Sequence, residues 1–219
     1  MQLGLGGVLK SKLKSGSAAR AALGLVLAAS LAGCSGGVLG GIVGTGSNPT
    51  PTYDLTAPRN FGPLPPRARG LLAVEQPTAL QILDTEKVVI APAPAQVAYL
   101  PDAQWVDRLP KLMQARIVQA FENSTRIRAV AKAQDRVNAD YVLVIDVRQF
   151  GIAAYDTPQA VVELSVKIVY QRGGRIAAGT VLTSRVASTG TDGQAATLAL
   201  DQAFSDVLVQ MVKWTSRRI

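Results

Sequence analysis

Two runs of β-branched and aliphatic residues, Tyr141 to Phe150 and Val161 to Tyr170, lie a short turn apart, with Pro158 in that turn. Stretches of this composition at this spacing leave the chain little choice but a paired sheet. The second run alternates cleanly. Val162, Leu164, Val166, Ile168 and Tyr170 point one way while Glu163, Ser165 and Lys167 point the other, which predicts one buried and one wetted face. Gly173-Gly174 follows as a hairpin turn into a third extended segment, Ile176 to Ala187, so the three form an antiparallel meander.

Shorter β-rich pieces precede the meander. Tyr53-Asp54-Leu55 is extended, residues 57 to 67 form a proline-rich connecting loop, and residues 70 to 75 make a buried strand ending before Pro77. Leu80 to Leu83 fits a turn or short helix. Lys87 to Ile90 and Gln96 to Leu100 are extended segments, and the prolines around them place them at edges. Ile127 to Ala131 predicts one more short strand.

Two segments carry helical periodicity. From Asp102, a candidate N-cap, apolar residues recur at steps of three and four through Trp105, Leu109, Leu112, Ile117 and Phe121. Pro110 inside that pattern costs a hydrogen bond, so the helix either kinks near residue 106 or starts nearer Arg108. The second helix runs from Asp192 as N-cap to about Ser216, with Leu200, Phe204, Val207, Leu208, Met211 and Trp214 on a broad apolar face. The expected architecture is α+β, an antiparallel sheet with two amphipathic helices packed on one face.

The N-terminus is built differently. Lys10, Lys12, Lys14 and Arg20 precede an apolar run from Ala21 to Ala32. A bilayer span takes about 20 such residues, so the run fits a secretory signal better than a membrane helix. Leu31-Ala32-Gly33-Cys34 follows and resembles the bacterial lipobox. The resemblance implies a diacylglyceryl group on the Cys34 thiol, cleavage before it, and acylation of the new amino terminus, palmitate being such a chain. Residue 35 is Ser. In the enterobacterial sorting rule Asp there retains a lipoprotein in the inner membrane, so Ser favours the outer membrane facing the periplasm, with inner-membrane anchoring as the other placement. Residues 35 to 52 hold six glycines and two prolines in eighteen positions and form a flexible tether. Its typical span is ~23 Å from the random-coil scaling of such chains. Three segments result: a signal at 1–33, the lipidated Cys34 with its tether at 34–52, and a globular domain at 53–219.

Composition excludes several chemistries. The 219 residues contain no His and one Cys, so imidazole bases, Ser-His-Asp and Cys-His pairs and an internal disulfide are out of reach. No phosphate-binding Walker motif is present, and no acidic cluster nominates a pair of catalytic carboxylates. An enzyme, a cofactor and a metal site are therefore not expected. Four of the 23 basic residues and none of the 15 acidic ones fall in residues 1 to 33, leaving a net charge of +4 in the exported chain. Its Arg and Lys are scattered and are not interleaved with aromatics, so nucleic acid is not an expected partner.

Tyr53-Asp54-Leu55 lies just after the expected lipidated leader, followed by Tyr99 with Trp105-Val106-Asp107-Arg108-Leu109-Pro110, Ala139-Asp140-Tyr141-Val142-Leu143 with Gln149-Phe150, the strand Ala160 to Tyr170, and the closing helix. In these pieces and their order the domain resembles the ABC-type transport auxiliary lipoprotein family. The proline-rich loop between Asn60 and Arg69 departs from the family pattern. Membership implies an auxiliary lipoprotein of mammalian-cell-entry-type (MCE) lipid transporters, in which a periplasmic MCE protein works with an inner-membrane permease and ATPase. The other reading is a ligand-binding or structural envelope lipoprotein, attached to peptidoglycan or assisting lipopolysaccharide assembly.

Candidate site residues follow from both lines of reasoning. Cys34 is the lipidation site. Tyr99, Trp105, Asp146 and Arg148 are candidate contacts for a partner or ligand, each with a structural alternative: Trp105 as the core anchor of its helix, Tyr99 and Tyr141 as half-buried sheet residues, Asp146 and Arg148 as a surface ion pair or oligomer contact. Exposed apolar residues on the closing helix would point to a homo-oligomer.

Overall fold

The computed structural model describes residues 49–66 and 68–219; the expectations for the signal, Cys34 and most of the tether lie outside the described residues. Nine strands and two α-helices make up the described domain. The strands are β1 (Thr52–Tyr53), β2 (Ala68–Val74), β3 (Thr78–Ala79), β4 (Lys87–Ala91), β5 (Ala98–Trp105), β6 (Ile127–Lys132), β7 (Tyr141–Ala153), β8 (Gln159–Tyr170) and β9 (Ile176–Ala187). Helix α1 is Leu109–Ser124 and helix α2 is Gly193–Ser216.

The meander forms as its alternation predicts. β7 pairs β8 antiparallel from Tyr141↔Tyr170 to Ala153↔Gln159, and β8 pairs β9 antiparallel through the same length. Gly173 and Gly174 sit at φ +86° and +63° in the connecting turn, conformations that a side chain disfavours. Register pairs Leu143/Ile168, Ile145/Val166 and Val147/Leu164 face one side and are all buried. Each such side chain contributes roughly 1.5–3 kcal/mol on full burial.

The sheet as a whole is mixed, which corrects the purely antiparallel expectation. The other edge of β7 is shared by three strands in succession, all parallel to it: β2 at Leu72↔Tyr141, β3 at Thr78↔Asp146 and β4 at Ile90↔Ile152. β6 extends the sheet beyond β2 in parallel, while β5 pairs β4 antiparallel and β1 pairs β5 in parallel. At thirteen residues β7 is long enough to template three short neighbours end to end, and β2, β3 and β4 follow one another along its edge in chain order, the chain returning to β7 through β5, α1 and β6.

Both helices bury their apolar faces in the same core. Met113, Ile117 and Phe121 of α1 and Leu200, Phe204 and Met211 of α2 join the inner-face strand residues in one cluster. Helix α1 starts at Leu109 with Pro110 in its first turn, where a missing N–H costs nothing. The segment before it, Ala98 to Trp105, is strand and not helix, so Asp102 does not cap α1. It serves α2 instead: Asp102 Oδ2 accepts from Gly193 N at 2.8 Å, beside Asp192 Oδ1 accepting from Gln194 N and Ala195 N at 3.1 and 3.0 Å. Two carboxylates thus take three of the free amides at the start of α2.

Candidate functional site

Three of the sequence pieces that carry the resemblance lie at joints of the fold. Tyr53 lies opposite Trp105 in β1 and β5, and its carbonyl accepts from Val106 N at 2.9 Å. Asp54 forms an ion pair with Arg116 of α1 and also accepts from Leu55 N at 2.7 Å. Leu55 is buried in the core. Thr56 gives its N–H and its hydroxyl to the carboxylate of Asp201 on α2, at 2.7 and 2.8 Å. Four consecutive residues therefore strap β5, α1 and α2 together at the start of the domain. The Arg116 guanidinium, hydrogen-bonded to Asp54, holds its carboxyl below the usual range; partial burial opposes this, and the Leu55 amide adds to the lowering.

The segment from Trp105 to Pro110 is the second joint. Trp105 N donates to Glu86 O at 2.6 Å and Leu109 N to Thr85 O at 3.0 Å, while Arg108 forks onto Asp84 with contacts of 3.0 and 2.6 Å. Asp107 accepts from Arg108 N and pairs with Lys111 one turn on. Lys111 chiefly, and then the Arg108 amide, lower the Asp107 carboxyl. Asp140 closes the third joint: its N–H donates to Leu71 O and its Oδ2 accepts from Leu71 N, both at 2.9 Å, fixing β2 to the start of β7.

The predicted site residues separate onto two sides of the sheet. Trp105 is 2% exposed, its ring 5.9 Å from Phe150, which in turn lies 5.8 Å from Phe204 of α2. It is a core residue of β5. Tyr99 is half-buried on β5, donates its hydroxyl to Ile82 O at 3.2 Å and carries Lys87 Nζ 5.0 Å above its ring. Asp146 and Arg148 are exposed on the helix-free face but do not pair with each other. A bulge between Val147 and Gln149 displaces Arg148, which reaches Glu163 at 3.6 Å, while Asp146 accepts from Thr78 Oγ1 at 3.2 Å.

Arg148 also borders a groove of about 310 Å³ on that face, which sequence reasoning missed. Its walls include Leu80, Val89, Val97, Tyr155, Val161 and Arg185. Leu80 is 71% exposed, Val97 52% and Tyr155 39%, so the rim offers open apolar surface beside two arginines. The signal was present as isolated apolar residues in proline-containing loops, but only the turn geometry gathers them. On α2, Leu198 is likewise exposed. Among the described residues, no helix is long and apolar enough to cross a membrane.

The fold and these surfaces define a class: a helix-covered mixed sheet, strapped at its N-terminal end by residues 53–56, with a groove on the bare face. Residues 53–212 match the ABC-type transport auxiliary lipoprotein components, and the chain belongs to that family. An uncharacterized protein of Bradyrhizobium diazoefficiens is 35% identical over 164 residues, 75% of this chain and 44% of that protein, so the chain spans less than half of that relative's length. The crystal structure of a Xanthomonas campestris protein superposes with a TM-score of 0.70 at 29% identity, covering 77% of this chain and 96% of that one. A further crystal structure of an uncharacterized protein, at TM-score 0.56 and 18% identity over 76% of this chain and 95% of its own, shares the fold.

Proposed function

We propose that the protein is a non-enzymatic lipoprotein, anchored through Cys34 to the outer membrane on its periplasmic side, that docks on the periplasmic MCE protein of an ABC transport system. With its permease and ATPase, that system moves phospholipid or another hydrophobic substrate between the inner and outer membranes. Family membership over nearly the whole domain carries the reading, joined to a leader that ends in Leu31-Ala32-Gly33-Cys34. The mechanism is tethering: the lipid fixes one end, residues 35 to 52 let the domain search the gap, and confinement raises the effective concentration of a partner site. The groove beside Arg148, apolar with a charged rim, has the make-up of a protein contact.

Crosslinking in the cells that make the protein, followed by mass spectrometry of what is captured, tests this. Recovery of an MCE protein is the expected result. Capture of peptidoglycan fragments or an outer-membrane assembly barrel, with no MCE protein, contradicts it and favours the envelope-structural reading.

A further inference from the structure

At the end of the sheet where β7 begins and β8 ends lies a second, larger cleft, of about 710 Å³. Ala139, Asp140, Tyr141 and Tyr170, which belong to the segments that carry the resemblance, line it. Its floor is aromatic. Tyr141 and Tyr170 are register partners with ring centroids 5.4 Å apart, and the Tyr141 ring lies so close over Gly70 that a Cβ there would sit 2.7 Å from the ring edge. Only glycine lets β2 pass beneath that ring.

The walls are cationic. Arg69 and Arg172 line the cleft with Asn138, and among the described residues neither arginine has an acidic partner within 4 Å. Arg175 stacks over the Tyr170 ring with its guanidinium carbon 5.1 Å from the centroid. On the neighbouring strand, Arg126 and Arg128 flank Ile127, the register partner of Ala68, and the Arg126 Nε is buried with no hydrogen-bond partner among the described residues. The one acidic side chain in the lining, Asp140, already accepts the Leu71 amide on its Oδ2, and the last residue, Ile219, also borders the cleft.

Unpaired guanidinium groups around an aromatic floor are the arrangement that takes a phosphate. Arg offers parallel N–H donors that match two phosphate oxygens, Asn138 supplies a neutral donor, and the ring faces accept the apolar part of an esterified group. The cleft also lies within the 300–1,000 Å³, roughly, of small-ligand sites. We infer that this cleft binds a phosphate ester, with Arg69 and Arg172 holding the phosphate oxygens and Tyr141 and Tyr170 carrying the group attached to it. Two sources share that chemistry, a phospholipid headgroup and a soluble phosphate ester. The inference stands apart from the docking proposal, since it concerns a different surface and needs no partner protein.

The test uses the exported chain with Cys34→Ser, so that no attached lipid contributes, at about 0.15 M salt to screen non-specific attraction. Titration with sn-glycerol 1-phosphate, followed by amide chemical shifts, is expected to move residues 68–70 and 170–172 saturably, while glycerol alone does not. In the Arg69→Ala/Arg172→Ala variant the affinity falls about tenfold or more, given the strength of charge-assisted hydrogen bonds. Lys111→Ala, a surface charge on α1, leaves the affinity unchanged. Flotation with phosphatidylglycerol vesicles then separates the sources. Vesicle binding lost in the double variant assigns the site to a lipid headgroup, and glycerol phosphate binding without vesicle binding assigns it to a soluble ester. Absence of a saturable shift at those amides, or equal affinity in the double variant, overturns the inference.

Discussion

At the residue scale, the polar side chains with the clearest structural work are those that hold the leader end of the domain. Asp54 meets Arg116 across the surface, and that pairing depresses its carboxyl. A group with a lowered folded pKa adds stability above its unfolded value, near 3.9, and loses it as pH falls through the folded one. Asp54→Asn is therefore expected to lower stability at neutral pH by up to about 1 kcal/mol, since the pair is partly exposed and screened. The gap to the parent should narrow toward about pH 3 as the carboxyl protonates. Urea denaturation at both pH values checks this, and a gap that stays constant with pH contradicts it. The residue scale was also the least legible in sequence. Asp102 looks like the cap of the helix that follows it, yet it caps a helix ninety-one positions away, a contact no local pattern encodes.

At the element scale, periodicity served where an element's neighbours are its own sequence neighbours. The alternation of Val162, Leu164, Val166 and Ile168 predicted both the meander and its buried face, and the apolar spacing of α2 predicted its extent to Ser216. Helix α1 shows the limit. Trp105 falls in step with Leu109 and Leu112, but Pro110 sets the helix start at Leu109 and leaves Trp105 on a strand with its ring in the same core. Core-facing residues of a strand and of the next helix share the period by coincidence. The mixed character of the sheet was illegible for another reason: β3 is two residues long, and the parallel pairing of β2, β3 and β4 with β7 is decided by the long connection through β5, α1 and β6 and not by their own composition. The close approach of α2 to β5 gives a prediction here. A Cβ on Gly193 would lie 2.6 Å from the Asp102 carbonyl oxygen and 2.8 Å from Ala103 Cβ. Gly193→Ala is expected to cost about 1–3 kcal/mol, as overpacking of a fitted junction does. A thermal melt at or above the parent's midpoint would show that the helix start yields without cost.

At the scale of the whole molecule, the described domain is a scaffold whose joints lie at residues 53–56, 105–111 and 140, with the groove on its bare sheet face. The signal and Cys34 lie outside the described residues; of the candidate contacts, Arg148 borders the groove, Asp146 and Tyr99 are engaged with neighbouring groups, and Trp105 is interior. The central claim is that the domain works because a lipid holds it at the membrane, and Cys34→Ser tests it most directly. The variant is exported from the same gene, its folding is checked by circular dichroism and its thermal midpoint, and phospholipid exchange between the membranes is followed in cells that depend on this copy. The account predicts an unchanged fold and a loss of exchange to the level of cells lacking the protein. Full exchange by the folded, unlipidated variant would contradict it.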